Sequence, residues 1–206
     1  MLLQPLGVNI FLISFEEQNL TRPNEFRWVF GSKNHIEFPQ GGAPVNLLGT
    51  DPTQIDTLEG CASISDATGA LLFYTDGRAL WDASHSQIAT GLGGSSSASH
   101  SAIIVPPPAG GSIYHVFTVG DWDNSQADTT PLLHTQVTVN PVTVVSAAQV
   151  VSGSAPRVGE QLIAVPTQDC GGWWILCLGF DDRELHAFEL QGDTGIVQGS
   201  TAQRLS

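Results

Sequence analysis

Three stretches of this chain share one pattern: Ala62–Asp76 reads ASISDATGALLFYTD, Ala102–Val119 reads AIIVPPPAGGSIYHVFTV, and Leu162–Leu178 reads LIAVPTQDCGGWWILCL. Each has an apolar strand, then a turn rich in Gly, Pro or Asp, then a second strand that is richer in apolar and aromatic residues. A supersecondary unit that recurs along a chain is typical of a repeat architecture. The repeated hairpin therefore predicts an all-β fold built from similar units.

The sequence around these hairpins divides into three units of about four strands, at about 59–90, 101–151 and 160–199. A propeller blade also has four strands, and blades recur roughly every 40–50 residues. The spacing therefore predicts a β-propeller-like domain with an insertion in its second unit. A β-sandwich made of unrelated hairpins is the alternative.

The domain is expected to cover residues 26–206, with residues 1–25 as an N-terminal extension. The apolar run Val8–Phe15 is too short to span a bilayer, and no Lys or Arg precedes Arg22, so no clear signal peptide is predicted. Strands between Phe26 and Leu48 can complete a small closed ring. Otherwise the propeller is incomplete and leaves strand edges or blade faces for a partner.

The charge balance restricts the partners. The net charge is −13 with only seven basic residues, and such a surface repels phosphate backbones, so no nucleic-acid binding is expected. The same charge attracts cations such as Ca²⁺. The three cysteines, Cys61, Cys170 and Cys177, do not make a disulfide framework, and their apolar neighbours predict buried thiols.

The order of motifs from about Phe26 to Leu190 resembles the N-terminal β-propeller region of large surface proteins of gliding Bacteroidota. The residues that carry the resemblance are Trp28–Gly31, Ile36–Phe38, Glu59–Asp66, Gly69–Gly77, Leu80–Trp81, Ser101–Pro106 and Ile113–Thr118. The resemblance implies an extracellular or cell-surface module for adhesion or assembly. The family propeller continues past the point where three units end here, and the resemblance therefore implies a truncated ring.

One acidic loop is the candidate metal site. Asp121, Asp123, Ser125 and Asp128 offer oxygen ligands at alternating or near positions, which suits Ca²⁺. The EF-hand pattern is not matched, because Gln126 stands where that loop needs Gly. A solvated acidic loop without an ion is the alternative.

Tryptophans are the candidate contacts for a partner or a glycan. Trp122, Trp173 and Trp174 are the predicted contact residues, and Trp81 could join them in a sugar-stacking platform. Trp173 and Trp174 are adjacent in a predicted strand, so they point to opposite faces and one of them is expected in the core. Core or interface packing is the alternative to glycan stacking.

The sequence shows no catalytic constellation. Asp66 and Asp76 have the positions of turn residues, and the serines in the segment Gly91–His100 lie in a stretch whose composition predicts a flexible linker. The leading hypothesis is therefore a non-enzymatic structural or protein-interaction module, which self-associates or binds a protein through an open β edge or blade face. A Ca²⁺-dependent or glycan-binding adhesion domain is the first alternative, and a propeller-type hydrolase is the second.

Overall fold

The computed structural model describes residues 26–39, 41–108, 111–121, 130–154 and 157–192, together with the backbone of 196–197 and 203–204. The described part of the chain is all-β and contains no helix. It follows that no helix suited to crossing a bilayer is found within those ranges. The predicted extension at residues 1–25 lies outside the described residues.

The strands form four antiparallel sheets in chain order. Sheet I contains β1 (Arg27–Phe30), β2 (Asn34–Glu37) and β3 (Val45–Asn46). Sheet II contains β4 (Ala62–Ser65), β5 (Leu71–Thr75), β6 (Ala79–Asp82) and β7 (Gln87–Thr90). Sheet III contains β8 (Ala102–Val105), β9 (Tyr114–Thr118), β10 (Leu133–Thr138) and β11 (Thr143–Val150). Sheet IV contains β12 (Val158–Pro166), β13 (Gly172–Gly179), β14 (Glu184–Gln191), β15 (Ile196–Val197) and β16 (Gln203–Arg204).

Sheets II and III are meanders, in which each strand pairs with the next one in the sequence. Sheet IV begins in the same way, and its β14 pairs with both β15 and β16. In each described sheet the two edge strands do not pair with each other, so none of these sheets closes on itself. The predicted all-β fold and four-stranded units are confirmed, whereas β16 was not predicted.

The sheets stack in the order I, II, III, IV, and each gap between neighbours holds an apolar cluster. Val29 of sheet I packs with Leu71, Tyr74 and Trp81 of sheet II. Sheets II and III share a cluster with Phe73, Leu80, Val116 and Val137. Sheets III and IV share one with Phe117, Leu162, Ile175, Phe188 and Leu190. The core is therefore divided into three layers, each formed by two consecutive sheets, unlike the single layer of a two-sheet sandwich.

The first strands of the sheets lie side by side. β4 contacts β8, and β8 contacts β12, while β1 lies against β4. The outer strands β7 and β11 also contact each other. Each of sheets II, III and IV therefore meets the preceding sheet in the same way, with its first strand beside the first strand of that sheet.

The segment from Gly94 to Ser101, here called the serine seam, is not the flexible linker that its composition predicts. Ala98 and Ser101 are fully buried. The backbone N–H of Gly60 donates to the Ala98 carbonyl at 3.0 Å, and the N–H of Gly94 donates to the Gly77 carbonyl at 2.8 Å. The serine hydroxyls of the seam donate hydrogen bonds to acceptors in or beside sheets II, III and IV. Only the folded chain brings these acceptors close to the seam, and the hydrogen bonds hold it in place.

Candidate functional site

A cluster of two histidines, one aspartate and one tyrosine lies where sheet I meets sheet II. His35 is on β2, Asp51 is in the loop between β3 and β4, and His85 is in the turn between β6 and β7. Tyr74 is on β5 with its side chain fully buried. One ligand atom from each of His35, Asp51 and His85 lies within 4.8 Å of the others, and this is the one such group of three found among the described residues.

A chain of hydrogen bonds runs through His85. The backbone N–H of Gln54 donates to the Tyr74 hydroxyl at 3.0 Å, and that hydroxyl lies 3.1 Å from Nδ1 of His85. Nε2 of His85 lies 2.8 Å from Oδ1 of Asp51. One assignment satisfies all three contacts: the Tyr74 hydroxyl donates to Nδ1, and the proton on Nε2 is donated to the carboxylate.

Burial makes Tyr74 a neutral and rigid member of this chain. It raises the pKa of the Tyr74 hydroxyl to about 12, so the phenol keeps its proton at neutral pH. The Tyr74 ring stacks on Trp81 with 5.4 Å between ring centroids and 14° between their planes. Tyr74 therefore positions His85 and carries no charge of its own.

His35 approaches Asp51 from the other side. Its Nδ1 lies 3.1 Å from the Asp51 carbonyl oxygen and 3.4 Å from Oδ2 of the Asp51 carboxylate. Nε2 is buried, and no hydrogen-bond partner for it is found among the described residues. Burial lowers the pKa of His35 below its usual value, so the ring is neutral at pH 7.

The backbone of each residue is held in place by its own element. His35 pairs with Val29 in the ladder between β1 and β2. His85 has a left-handed backbone with φ of 64°, and its N–H donates to the Asp82 carbonyl at 3.0 Å. Such a backbone is unusual for a residue other than Gly, and it persists only where the surroundings enforce it. The turn therefore aims His85 at the gap between the sheets.

Asp51 also faces a cation. Nη1 of Arg27 lies 3.8 Å from Oδ2 of Asp51, and Nη2 of Arg27 lies 3.4 Å from Oε1 of Glu37. The Asp51 side chain is 42% exposed, so the cluster is open to solvent on one side. The arrangement can hold a proton between His85 and Asp51, and it can offer two imidazole nitrogens and a carboxylate to a cation.

No pattern in the sequence predicts this cluster. His35 and Asp51 are 16 residues apart, and Asp51 and His85 are 34 apart, so no short motif joins them. A helical His spacing is the pattern that a sequence search can detect. Here the residues come from a strand, a loop and a turn, and only the stacking of two sheets brings them together.

The predicted Ca²⁺ loop lies almost wholly outside the described residues, which include Asp121 but not Trp122, Asp123, Ser125 or Asp128. Oδ2 of Asp121 accepts hydrogen bonds from the hydroxyls of Ser95 and Ser97, at 2.6 and 2.7 Å. Within the described part of the chain, Asp121 therefore connects the serine seam to the end of sheet III.

The tryptophans that the structure describes do not form one platform. Trp81 is buried between sheets I and II. Trp173 packs against the cluster between sheets III and IV. Trp174 pairs with Val165 and Glu189 and, by the alternation of the strand, lies on the opposite face of sheet IV. Of Trp81, Trp173 and Trp174, only Trp174 lies on an outer face of the sheets, where it can meet a partner.

The aspartates at the ends of strands β4, β5 and β6 bind the backbone of their own turns. Oδ1 of Asp66 accepts hydrogen bonds from the backbone of Thr68 and Ala70 and from the Thr68 hydroxyl, and these bonds lower the pKa of Asp66. Asp76 is bound by the backbone and guanidinium of Arg78. Oδ1 of Asp82 accepts from Ser84 and Ser86. Each carboxylate thus has a structural role.

An open cleft of about 490 Å³ lies beside the serine seam. Ser99, Glu160, Phe180 and Arg183 are among its lining residues. Oε2 of Glu160 accepts hydrogen bonds from the backbone N–H and the hydroxyl of Ser99, at 2.9 and 2.8 Å. The buried carboxylate of Glu160 therefore binds the seam to sheet IV.

Comparison of the chain with protein-family models, with characterised proteins and with solved structures finds no match in any of the three. The resemblance to the propeller region of gliding-associated surface proteins therefore stays a prediction from the sequence.

Proposed function

We propose that this protein is a non-enzymatic, β-propeller-like structural module, and that the outer face of sheet IV associates with sheet I of a second copy. The observation that carries the proposal is the apolar character of that outer face. The face consists of side chains that point away from the cluster shared with sheet III: Ile163, Val165, Trp174, Leu176, Leu178, Leu185 and Ala187.

The apolar side chains on this face are neighbours across the strands. Ile163 pairs with Leu176, which pairs with Ala187, and Leu178 pairs with Leu185. Ile163 is 47% exposed. A contiguous apolar patch on a sheet face is typical of an interaction surface. The inner sheets carry comparable residues on both faces and bury them against their neighbours.

The other end of the stack also has an apolar face. Trp28 and Phe30 of β1 are 52% and 38% exposed, and Trp28 pairs with Ile36. Trp28 contacts Phe38 with 5.0 Å between ring centroids. A second copy placed with its sheet I on sheet IV would continue the stacking that sheets I to IV already follow. Lys33 is exposed at the turn between β1 and β2, and the outer face of sheet IV carries Glu189, so the two faces bear opposite charges.

The blade-like arrangement supports the propeller-like part of the proposal. Sheets II and III are four-stranded meanders, and the first strands β4, β8 and β12 are neighbours. In a propeller the first strands of successive blades lie next to each other around a central axis. A head-to-tail contact between end sheets is heterologous, so it produces either a ring or a longer stack.

Light scattering coupled to size exclusion tests the association. The protein is expected to self-associate in a concentration-dependent manner. Ile163→Lys or Trp28→Lys is expected to raise the dissociation constant at least about tenfold, because each places a charge in the apolar contact. Val145→Lys, a change at a 57% exposed valine of sheet III, is the matched control and should not alter association.

Mixing two variants tests whether the contact joins sheet IV of one copy to sheet I of the next. Ile163→Lys damages sheet IV and Trp28→Lys damages sheet I, so a mixture of the two variants retains one intact contact and should give a 1:1 dimer. A protein that stays monomeric at about 100 μM, well above the micromolar dissociation constants of ordinary weak complexes, would contradict the proposal. Dissociation by Val145→Lys would contradict it as well.

A further inference from the structure

The contacts of His35, Asp51 and His85 match the ligand set of a transition metal. The closest approaches are 2.8 Å between Nε2 of His85 and Oδ1 of Asp51, and 3.4 Å between Nδ1 of His35 and Oδ2 of Asp51. Ligand atoms on a tetrahedral zinc ion lie about 3.3–3.6 Å apart, as follows from bond lengths of about 2.0–2.2 Å. Binding would require the 2.8 Å pair to move apart by about 0.5 Å, and Nδ1 of His35 to exchange its contact with the Asp51 carbonyl at 3.1 Å for the ion.

The chemistry of the set favours zinc over calcium. Two imidazole nitrogens and one carboxylate are ligands that Zn²⁺ accepts, whereas Ca²⁺ takes six to eight oxygens. The Asp51 side chain is 42% exposed, so solvent can reach a fourth position. Three protein ligands with one open position are typical of zinc sites that bind water or a further ligand.

Tyr74 supplies the outer contact that a metal-bound histidine needs. A histidine that binds metal through Nε2 carries its proton on Nδ1 and donates it to a neighbouring acceptor. The Tyr74 hydroxyl lies 3.1 Å from Nδ1 of His85, and it is fixed by the N–H of Gln54 and by the stacking on Trp81. The orientation of His85 is therefore set before an ion arrives. Binding of an ion would move the His85 proton from Nε2 to Nδ1, and the Tyr74 hydroxyl would change from donor to acceptor.

From these contacts we propose that His35, Asp51 and His85 form a binding site for a divalent transition-metal ion, with Zn²⁺ as the ion that fits best. The ligands come from sheet I, from the loop that follows it and from sheet II. A bound ion would therefore clamp the first two sheets together. The site lies away from the end faces of the stack and does not depend on the association proposed above.

The positive charge of Arg27 opposes metal binding at this site. Its guanidinium lies 3.8 Å from Oδ2 of Asp51 and so repels a cation at the site. Arg27→Gln removes this charge, and the affinity for Zn²⁺ should rise about threefold to tenfold by Coulomb's law near a protein surface. If the cluster were only an ion-pair network, Arg27→Gln would not create or strengthen metal binding.

Calorimetric titration of the chelator-treated protein with Zn²⁺ tests the site. We expect one ion per chain. Because the ligands meet only in the folded protein, Zn²⁺ at about one hundred times its dissociation constant should raise Tm by about 5–10 °C. Co²⁺ in place of Zn²⁺ should give the visible absorption of a tetrahedral ion. Absence of saturable binding, or binding without a rise in Tm, would overturn the proposal.

Matched variants separate a metal site from a hydrogen-bond network. Asp51→Asn keeps an oxygen acceptor for His85, and His85→Gln keeps a polar side chain, yet each should weaken Zn²⁺ binding more than about 100-fold, beyond the effect of an outer contact. Tyr74→Phe should weaken it about tenfold. Circular dichroism without metal checks that each variant is folded.

His186→Gln is the control, because His186 and Asp182 are a histidine–aspartate pair at 3.0 Å without a third ligand among the described residues. This variant should bind Zn²⁺ as the unmodified protein does. Unchanged affinity in Asp51→Asn and His85→Gln, or an equal loss in His186→Gln, would show that these residues are not the ligands.

Discussion

Single residues in the interior show how burial sets chemical state. His115 and His134 stack in sheet III with 5.1 Å between ring centroids, and Nδ1 of His115 lies 2.8 Å from Nε2 of His134. Burial, with a smaller effect from His115, lowers the pKa of His134 to about 4. Burial therefore keeps the His134 ring neutral in the folded protein at neutral pH, since a charge beside a second imidazole and Phe117 would be poorly solvated.

The His134 pKa predicts a loss of stability in mild acid. The unfolded chain takes up this proton at about pH 6.5, and the folded protein does so only near pH 4, so stability falls as pH drops between these values. His134 alone should cost about 2 kcal/mol between pH 7.5 and pH 5. Urea unfolding at the two pH values measures this cost.

A variant isolates that contribution. His134→Gln cannot take up a proton, so it should show a smaller stability difference between the two pH values by about 2 kcal/mol. His186→Gln, at a half-buried histidine outside this pair, serves as the control. An unchanged pH dependence in His134→Gln would mean that His134 does not resist protonation.

The cysteines show the same dependence on environment, and they correct one expectation. Cys177 is buried in sheet IV, and burial raises the pKa of its thiol to about 12. Cys61 is partly buried, and burial raises its pKa as well. Cys170, which was expected to be buried, is exposed and has φ of 57°. It lies in the turn between β12 and β13, where the chain reverses at the surface.

At the scale of elements, hairpins with similar sequence signals differ in what their turn residues stabilise. Asp66 and Asp76 each accept hydrogen bonds from two backbone N–H groups of their own turn. Asp76 is 2% exposed and also binds the Arg78 guanidinium at 2.7 Å. The Asp76 carbonyl accepts a hydrogen bond from Ser101 of the serine seam. Asp76 is therefore a connection between elements as well as a turn residue.

Two alanine substitutions should separate these roles. Asp76→Ala should lower the free energy of unfolding by about 3 kcal/mol, because it leaves Arg78 and two N–H groups without their carboxylate in a buried turn. Asp66→Ala should cost about 1 kcal/mol, because water can replace the carboxylate at the more exposed turn. Chemical denaturation measures both, and equal losses would contradict the assigned roles.

At the scale of the whole molecule, the serine seam connects the sheets. Ser95 and Ser97 bind Asp121, Ser99 binds Glu160, and Ser101 binds sheet II. Glycine makes the close approach possible at Gly60, where an added Cβ would lie 2.1 Å from the carbonyl carbon of His100. Backbone meets backbone there, so neither side can move without shifting an element.

Gly60→Ala should therefore destabilise the protein by about 2 kcal/mol or more, as expected for a substitution that displaces packed backbone. Gly49→Ala is the matched control, since a Cβ at Gly49 meets no atom within 4 Å. That control should be neutral or stabilise the protein slightly. Thermal unfolding followed by circular dichroism compares the two, and a neutral Gly60→Ala would show that the seam can move away from sheet II.

The sequence by itself determined the local structure. The three predicted hairpins are present as β4–β5, β8–β9 and β12–β13, because alternation and turn residues act over a few positions. Only the tertiary structure decided which sheets meet, which apolar faces remain at the ends of the stack, and that the serine-rich segment is fixed. It also brought His35, Asp51 and His85 together. Contacts between distant residues depend on how whole sheets pack, and local patterns carry no record of that packing.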